Sequence, residues 1–150
     1  MLLEHVLLSV HVLGGIVFVG GSAVATSLFP RYAPALDGEG RSRDVAVALH
    51  RITGGYAVFG LIVPLVGMIM AGVQGRMDEI WIIVSMVLTA AAALLLATQI
   101  YPRQRQALAD PGDGDSARLR QLSMVSGFYN LAWAIVVVLM IVRPGSGAGA

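Results

Sequence analysis

The side chains that could do chemistry in this 150-residue chain are few: His11, His50, Met68 and Met86, with His5 as an outlier. The sequence has no cysteine, which excludes disulfides, thiolate metal sites, cysteine nucleophiles and haem attachment through paired thiols. His11 lies inside a long apolar run, and an ionisable residue in such a place is a functional hypothesis by default. Gly14, Gly15, Phe18 and Ser22 follow it at i+3, i+4, i+7 and i+11, so His11 shares a helix face with small residues and is expected to point into a bundle.

Counted inward from the outer ends of their own runs, Met68 and Met86 fall within about one helical turn of the depth of His11. A histidine and two methionines at one level, beside glycines that leave room for a flat ring, could hold the iron of haem b. The same set, with His11 as the metal ligand, could hold a soft copper ion. A neutral histidine bonded to a hydroxyl or carbonyl of another helix explains His11 equally well, and methionine is common packing in apolar bundles. His50 lies about 25 Å from His11 in depth, so the two cannot ligate one haem axially. With Arg31, Arg51 and Arg103 it would form a basic rim able to meet haem propionates, anionic lipid headgroups or an acidic partner surface.

The elements that must position these residues are four apolar runs without charged residues, at 6–29, 52–73, 80–101 and 122–142. Each is long enough to cross a bilayer at roughly 20 residues per helix. Only 13% of residues are charged and 57% are hydrophobic, against about 25% charged in a soluble domain. The expected fold is all-α, a polytopic membrane four-helix bundle occupying residues 1–144, with 145–150 as a flexible tail. Met1 to His5 contains no basic residue, so the first run reads as a span and not as a cleaved signal peptide despite Ala23-Val24-Ala25.

All ten basic residues are arginine. Four (Arg31, Arg41, Arg43, Arg51) lie in the first connection, four (Arg103, Arg105, Arg118, Arg120) in the third, and only Arg76 in the second. The positive-inside rule then puts the first and third connections in the cytoplasm and both termini outside, in a multi-pass protein of a bacterial inner membrane. The arginines read as topology signals, with lipid as the surroundings and no nucleic-acid partner. Tyr32, Tyr56, Tyr101 and Tyr129 fall toward the same side, where tyrosine anchors helices at the interface, and Thr98, Gln99 and Asn130 are expected in interhelical hydrogen bonds.

A shift of 72 residues sets Phe29-Pro30-Arg31 on Tyr101-Pro102-Arg103, Ala35-Leu36 on Ala107-Leu108 and Gly55-Tyr56 on Gly127-Phe128. This suggests two copies of one helical hairpin related by an axis along the membrane normal, a parallel pseudo-repeat. Pro64 should kink the second span by crowding the carbonyl of Gly60. No phosphate loop, histidine-glutamate zinc pair or nucleophile elbow occurs, and the carboxylates, among them Asp37, Glu39, Asp44, Asp110, Asp113 and Asp115, lie between the runs.

The stretch Val10 to Gly21, followed by Phe29-Pro30-Arg31, Leu49-His50-Arg51, Pro64 with Gly67, and Trp81, resembles three groups of small bacterial membrane proteins. They are four-helix proteins of unknown function, CopD-type copper-resistance domains and HemJ-type protoporphyrinogen oxidases. The HemJ-type resemblance implies a haem-b protein oxidising a porphyrinogen, with His11 matching the first-helix histidine. The chain departs from that pattern in having no lysine and no histidine in its third span. The CopD-type resemblance implies copper handling by His11, Met68 and Met86. The expected function is therefore an integral membrane protein of the uncharacterised group with haem b at His11. The alternatives are a HemJ-type oxidoreductase, and a copper-handling or accessory subunit in a homo-oligomer or larger membrane complex.

Overall fold

A computed structural model describes residues 1–33, 42–110 and 115–146. Ala35-Leu36, Asp37, Glu39, Arg41, Asp113 and the end of the tail, 147–150, lie outside the described residues. The described chain is helical: α1 (Leu2–Tyr32), α2 (Arg43–Phe59), α3 (Ile62–Val73), α4 (Ile80–Leu95), a π-helical turn (Leu96–Ile100), α5 (Tyr101–Ala109) and α6 (Asp115–Val142). Together they make four helices long and apolar enough to cross a membrane, Leu2–Tyr32, Arg43–Val73, Ile80–Ala109 and Ala117–Val142. α1 packs on α2, α3 and α6, α4 packs mainly on α6, and α5 closes the ring by touching α2. The result is the expected all-α four-helix bundle.

The helices outrun the apolar stretches. A continuous helix of 30 residues, as over Ile80–Ala109, is about 45 Å long, against roughly 30 Å of hydrocarbon. Pro30 lies inside α1 and Pro102 in the first turn of α5, so neither proline stops its helix. Polar ends extend the spans instead. The Ser42 hydroxyl caps α2 by accepting from the Val45 N–H at 3.3 Å, with Asp44 in the first turn to favour the positive helix end.

Two local irregularities place the site residues. The second span breaks at Gly60 and Leu61, one turn before Pro64, as proline geometry requires. A side chain at Gly60 would overlap the Tyr56 carbonyl. The third span carries the π-helical turn immediately before Pro102, and the Tyr101 N–H donates to Leu96 O, five residues back. Pro102 has no N–H for the carbonyl of Thr98 and would crowd it, and the wider turn accommodates both. At the opposite end Gly75, at φ +65, supplies the left-handed residue that closes α3.

Candidate functional site

His11 is buried on the α1 face that meets α3. Its Nδ1 lies 3.1 Å from the carbonyl oxygen of Val63. A carbonyl only accepts, so Nδ1 carries a proton. The imidazole lies against the backbone of Gly67, where an added Cβ would stand 2.8 Å from Cε1. One turn deeper, a Cβ at Gly14 would meet Val63 Cγ2 at 3.1 Å. The glycines therefore leave space that the imidazole and Val63 themselves fill.

The sequence places Met68 and Met86 at the level of His11, and the structure does not join the three into a ligand set. Met68 is half-buried, one residue past Gly67 and so about 100° further around α3. Met86 is 38% exposed on α4, a helix whose main contacts are with α6. Its neighbour Ser85 is the residue that faces inward.

A cavity of ≈ 40 Å³ lies deeper, bounded by Phe18, Ser22, Tyr56, Pro64, Tyr129 and Trp133 among others, and His11 is not in its wall. Sites for drug-sized ligands and cofactors run to about 300–1,000 Å³. The residues around His11 thus do not fit a haem: the glycine space is taken, and the cavity admits at most a few waters. Among the described residues no three His, Asp or Glu side chains converge as a metal site either.

The polar groups near the cavity clamp helices. The Tyr129 hydroxyl, buried in the bundle, donates to Ser22 Oγ at 2.9 Å, joining α6 to α1, and Asn130 Nδ2 donates to Ser27 Oγ at 2.8 Å across the same pair. The Tyr56 hydroxyl occupies the space over Gly21, where a Cβ would overlap it. Phe18 packs on Tyr56 edge-to-face at 5.6 Å. Tyr56 and Tyr129 therefore make contacts within the bundle. Thr98 and Gln99 differ from expectation, bonding within their own helix, to Leu94 O and from Arg103 respectively.

The other histidine has the denser surroundings. His50 stacks on Tyr101 at 4.4 Å and 18°, with Phe29 at 6.4 Å on a tilted plane. Its Nδ1 lies 3.1 Å from Gln104 Oε1, while Gln104 Nε2 donates to Thr53 Oγ1 at 3.3 Å and Thr53 donates to Leu49 O at 2.9 Å. The Thr53 proton is committed to Leu49, so Thr53 accepts from the Gln104 amide and the Gln104 oxygen is left to accept from His50 Nδ1–H. Tyr101 itself lies over Gly54, whose Cβ would meet its ring at 2.9 Å. Gln104 is fully buried. It falls in an arginine-rich stretch read as a solvated connection, although Ile100, Gln104, Ala107 and Leu108 are spaced i, i+4, i+7, i+8, the mark of a one-sided helix.

Among the described residues, none of the arginines expected to form a basic rim with His50 hydrogen-bonds to it. Arg31 and Arg51 are exposed, Arg103 bonds Gln99 at 2.8 Å, and Arg43 donates to Leu108 O at 2.9 Å, tying α2 to the end of α5. The repeat holds only in part. Phe29 and Tyr101, its matched aromatics, both flank His50, whereas Tyr56 faces the cavity and its match Phe128 is 58% exposed.

At the opposite end, Arg76 and Trp81 both donate to the Glu79 carboxylate. Those bonds, Arg76 first, hold the Glu79 carboxyl below its ordinary range, and the same pairing raises Arg76. The guanidiniums of Arg76 and Arg143 stand 5.8 and 5.7 Å from the Trp81 ring centre, within cation–π reach. Comparison with protein-family models, curated proteins and solved structures found no match to this chain.

Proposed function

We propose that this chain is an accessory or scaffold subunit of a bacterial inner membrane, a four-helix bundle that packs beside other membrane helices and does no chemistry in its interior. The observation that carries this reading is the engagement of His11. Its N–H is bonded to the Val63 carbonyl and its ring fills the gap left by Gly67. A polar side chain bonded across two spans is glue between helices, worth about 0.6 kcal/mol on average and up to about 1.7. Tyr129 with Ser22, Asn130 with Ser27 and Gln104 with His50 repeat the pattern between other helix pairs. The haem-binding, porphyrinogen-oxidising and copper-handling readings stand behind this one, because among the described residues no tetrapyrrole-sized space opens beside His11 and no three His, Asp or Glu side chains converge on it.

The test is the visible spectrum, oxidised and reduced, of protein purified in mild detergent from haem-replete cells, with metal content measured on the same sample. The expected result is neither a Soret band nor copper at one per chain, with His11→Ala lowering only the unfolding temperature. A stoichiometric band or copper ion that disappears in His11→Ala would overturn the reading.

A further inference from the structure

Beside the π-helical turn, where α5 meets α6 at the arginine-rich end, the surface carries a cleft of ≈ 400 Å³. Its polar wall is Arg103, Gln106, Arg118 and Gln121, with Leu119 and Leu122 in the apolar part. Among the described residues no carboxylate lines it. Arg103 spends one N–H on Gln99 at 2.8 Å, which fixes the direction of its guanidinium and leaves its other donors. Arg118 has no ion-pair partner among the described residues. Two guanidiniums and two amides, with no neutralising acid among the described residues, form a receptor for a phosphate, whose oxygens match the planar arginine fork.

The position of the cleft selects the source of that phosphate. The third apolar run ends at Tyr101 and the fourth begins at Leu122, so Arg103 and Arg118 lie within about one turn of the hydrocarbon boundary. Leu119 and Leu122, packed in the core, make part of the cleft's apolar lining on its membrane-facing side. Basic pockets between spanning helices on the arginine-rich side suit anionic headgroups. A zwitterionic headgroup brings a cation that two unpaired guanidiniums repel.

We propose that this cleft binds the phosphate headgroup of one anionic phospholipid, with Arg103 and Arg118 as its two guanidinium contacts. The site requires only that the chain lies in a membrane, and it stands or falls independently of the accessory role and of any ligand at His11. Bound there, the lipid would bridge α5 to α6 just beyond the bilayer core.

The experiment uses the full-length protein in mixed micelles with dioleoylphosphatidylglycerol, dioleoylphosphatidylcholine or inorganic phosphate, reading lipid retained per chain by native mass spectrometry and the unfolding temperature in parallel. One phosphatidylglycerol should be retained in preference to phosphatidylcholine and should raise the unfolding temperature. Arg103→Gln with Arg118→Gln should weaken that retention by about 30-fold. Arg31→Gln with Arg51→Gln, which removes the same charge from the same end, should leave it intact. If the double glutamine variant does not fold, Arg118→Lys keeps the charge, loses the fork and should still weaken retention. Equal retention of both lipids, equal loss in the Arg31/Arg51 control, unchanged retention in Arg118→Lys, or displacement of the lipid by millimolar inorganic phosphate would each overturn the proposal.

Discussion

His11 and His50 are held in different ways, and the contrast separates two kinds of helix contact in one bundle. His11 has a single hydrogen bond, to a backbone carbonyl, and its position depends on shape: the ring fits because residue 67 is glycine. His50 belongs to a relay of side chains, Gln104 and Thr53, and is covered by the Tyr101 ring. The first contact lies at the depth of the apolar core and the second at the arginine-rich end, where helices leave the bilayer. Deep in lipid, close packing does most of the work of association. At His50 the partners Gln104 and Thr53 are themselves fully buried away from water, where leaving a polar group unpaired costs about 1–3 kcal/mol.

The contrast can be broken most strongly at Gly67. Gly67→Val places a branched side chain against the His11 ring and should destabilise the bundle by about 1–3 kcal/mol, the usual cost of overpacking, read as a fall in unfolding temperature in detergent. The displaced imidazole also loses the Val63 carbonyl, so His11→Ala should cost less in the Gly67→Val background than in the parent. Additive effects of the two changes would show that the ring is not held by that gap.

At the other histidine the expected loss is of similar kind and somewhat smaller. Gln104→Leu keeps the volume but strands the His50 N–H and removes a donor from Thr53, at about 1–2 kcal/mol. Thr53→Val in the same background should add little, since its relay is already cut. The effect should also appear as faster hydrogen exchange in α5 than in α3, whereas Gly67→Val should act on α3 first.

The smallest effect belongs to the outer loop. The Glu79 carboxyl is held below its ordinary range by Arg76 and then Trp81. A depressed folded-state pKa means that its contribution is complete above the ordinary carboxylate range and is lost as pH falls through the lower, folded value. Unfolding temperature should therefore be flat from neutral pH down to the ordinary carboxylate range and slip slightly below it. In Glu79→Gln that acid limb should flatten, with little change at neutral pH, as expected of a half-buried pair at the surface.

Much of the architecture was legible in the residues. The four spans follow from the length of the uncharged runs, and the break at Gly60 and Leu61 from Pro64. The burial of His11 follows from its position on the glycine face of α1. Its partner does not. Met68 and Met86 share its depth, yet one lies to the side and the other is exposed. Gln104 and Arg118 were hidden for the opposite reason, taken as solvated connection because arginines surround them, although the helices continue there.

The sequence by itself determined that this chain is a bundle of four membrane-length helices, because hydrocarbon accepts only long apolar segments whose backbone bonds are made internally. Which residues each helix face meets on its neighbours was decided by the tertiary structure. In lipid both sides of a helix are apolar, so hydrophobic periodicity, the usual sign of a buried face, carries little information there. It returns at Ile100, Gln104, Ala107 and Leu108, where one side of the helix meets water, and only packing brought that face onto His50.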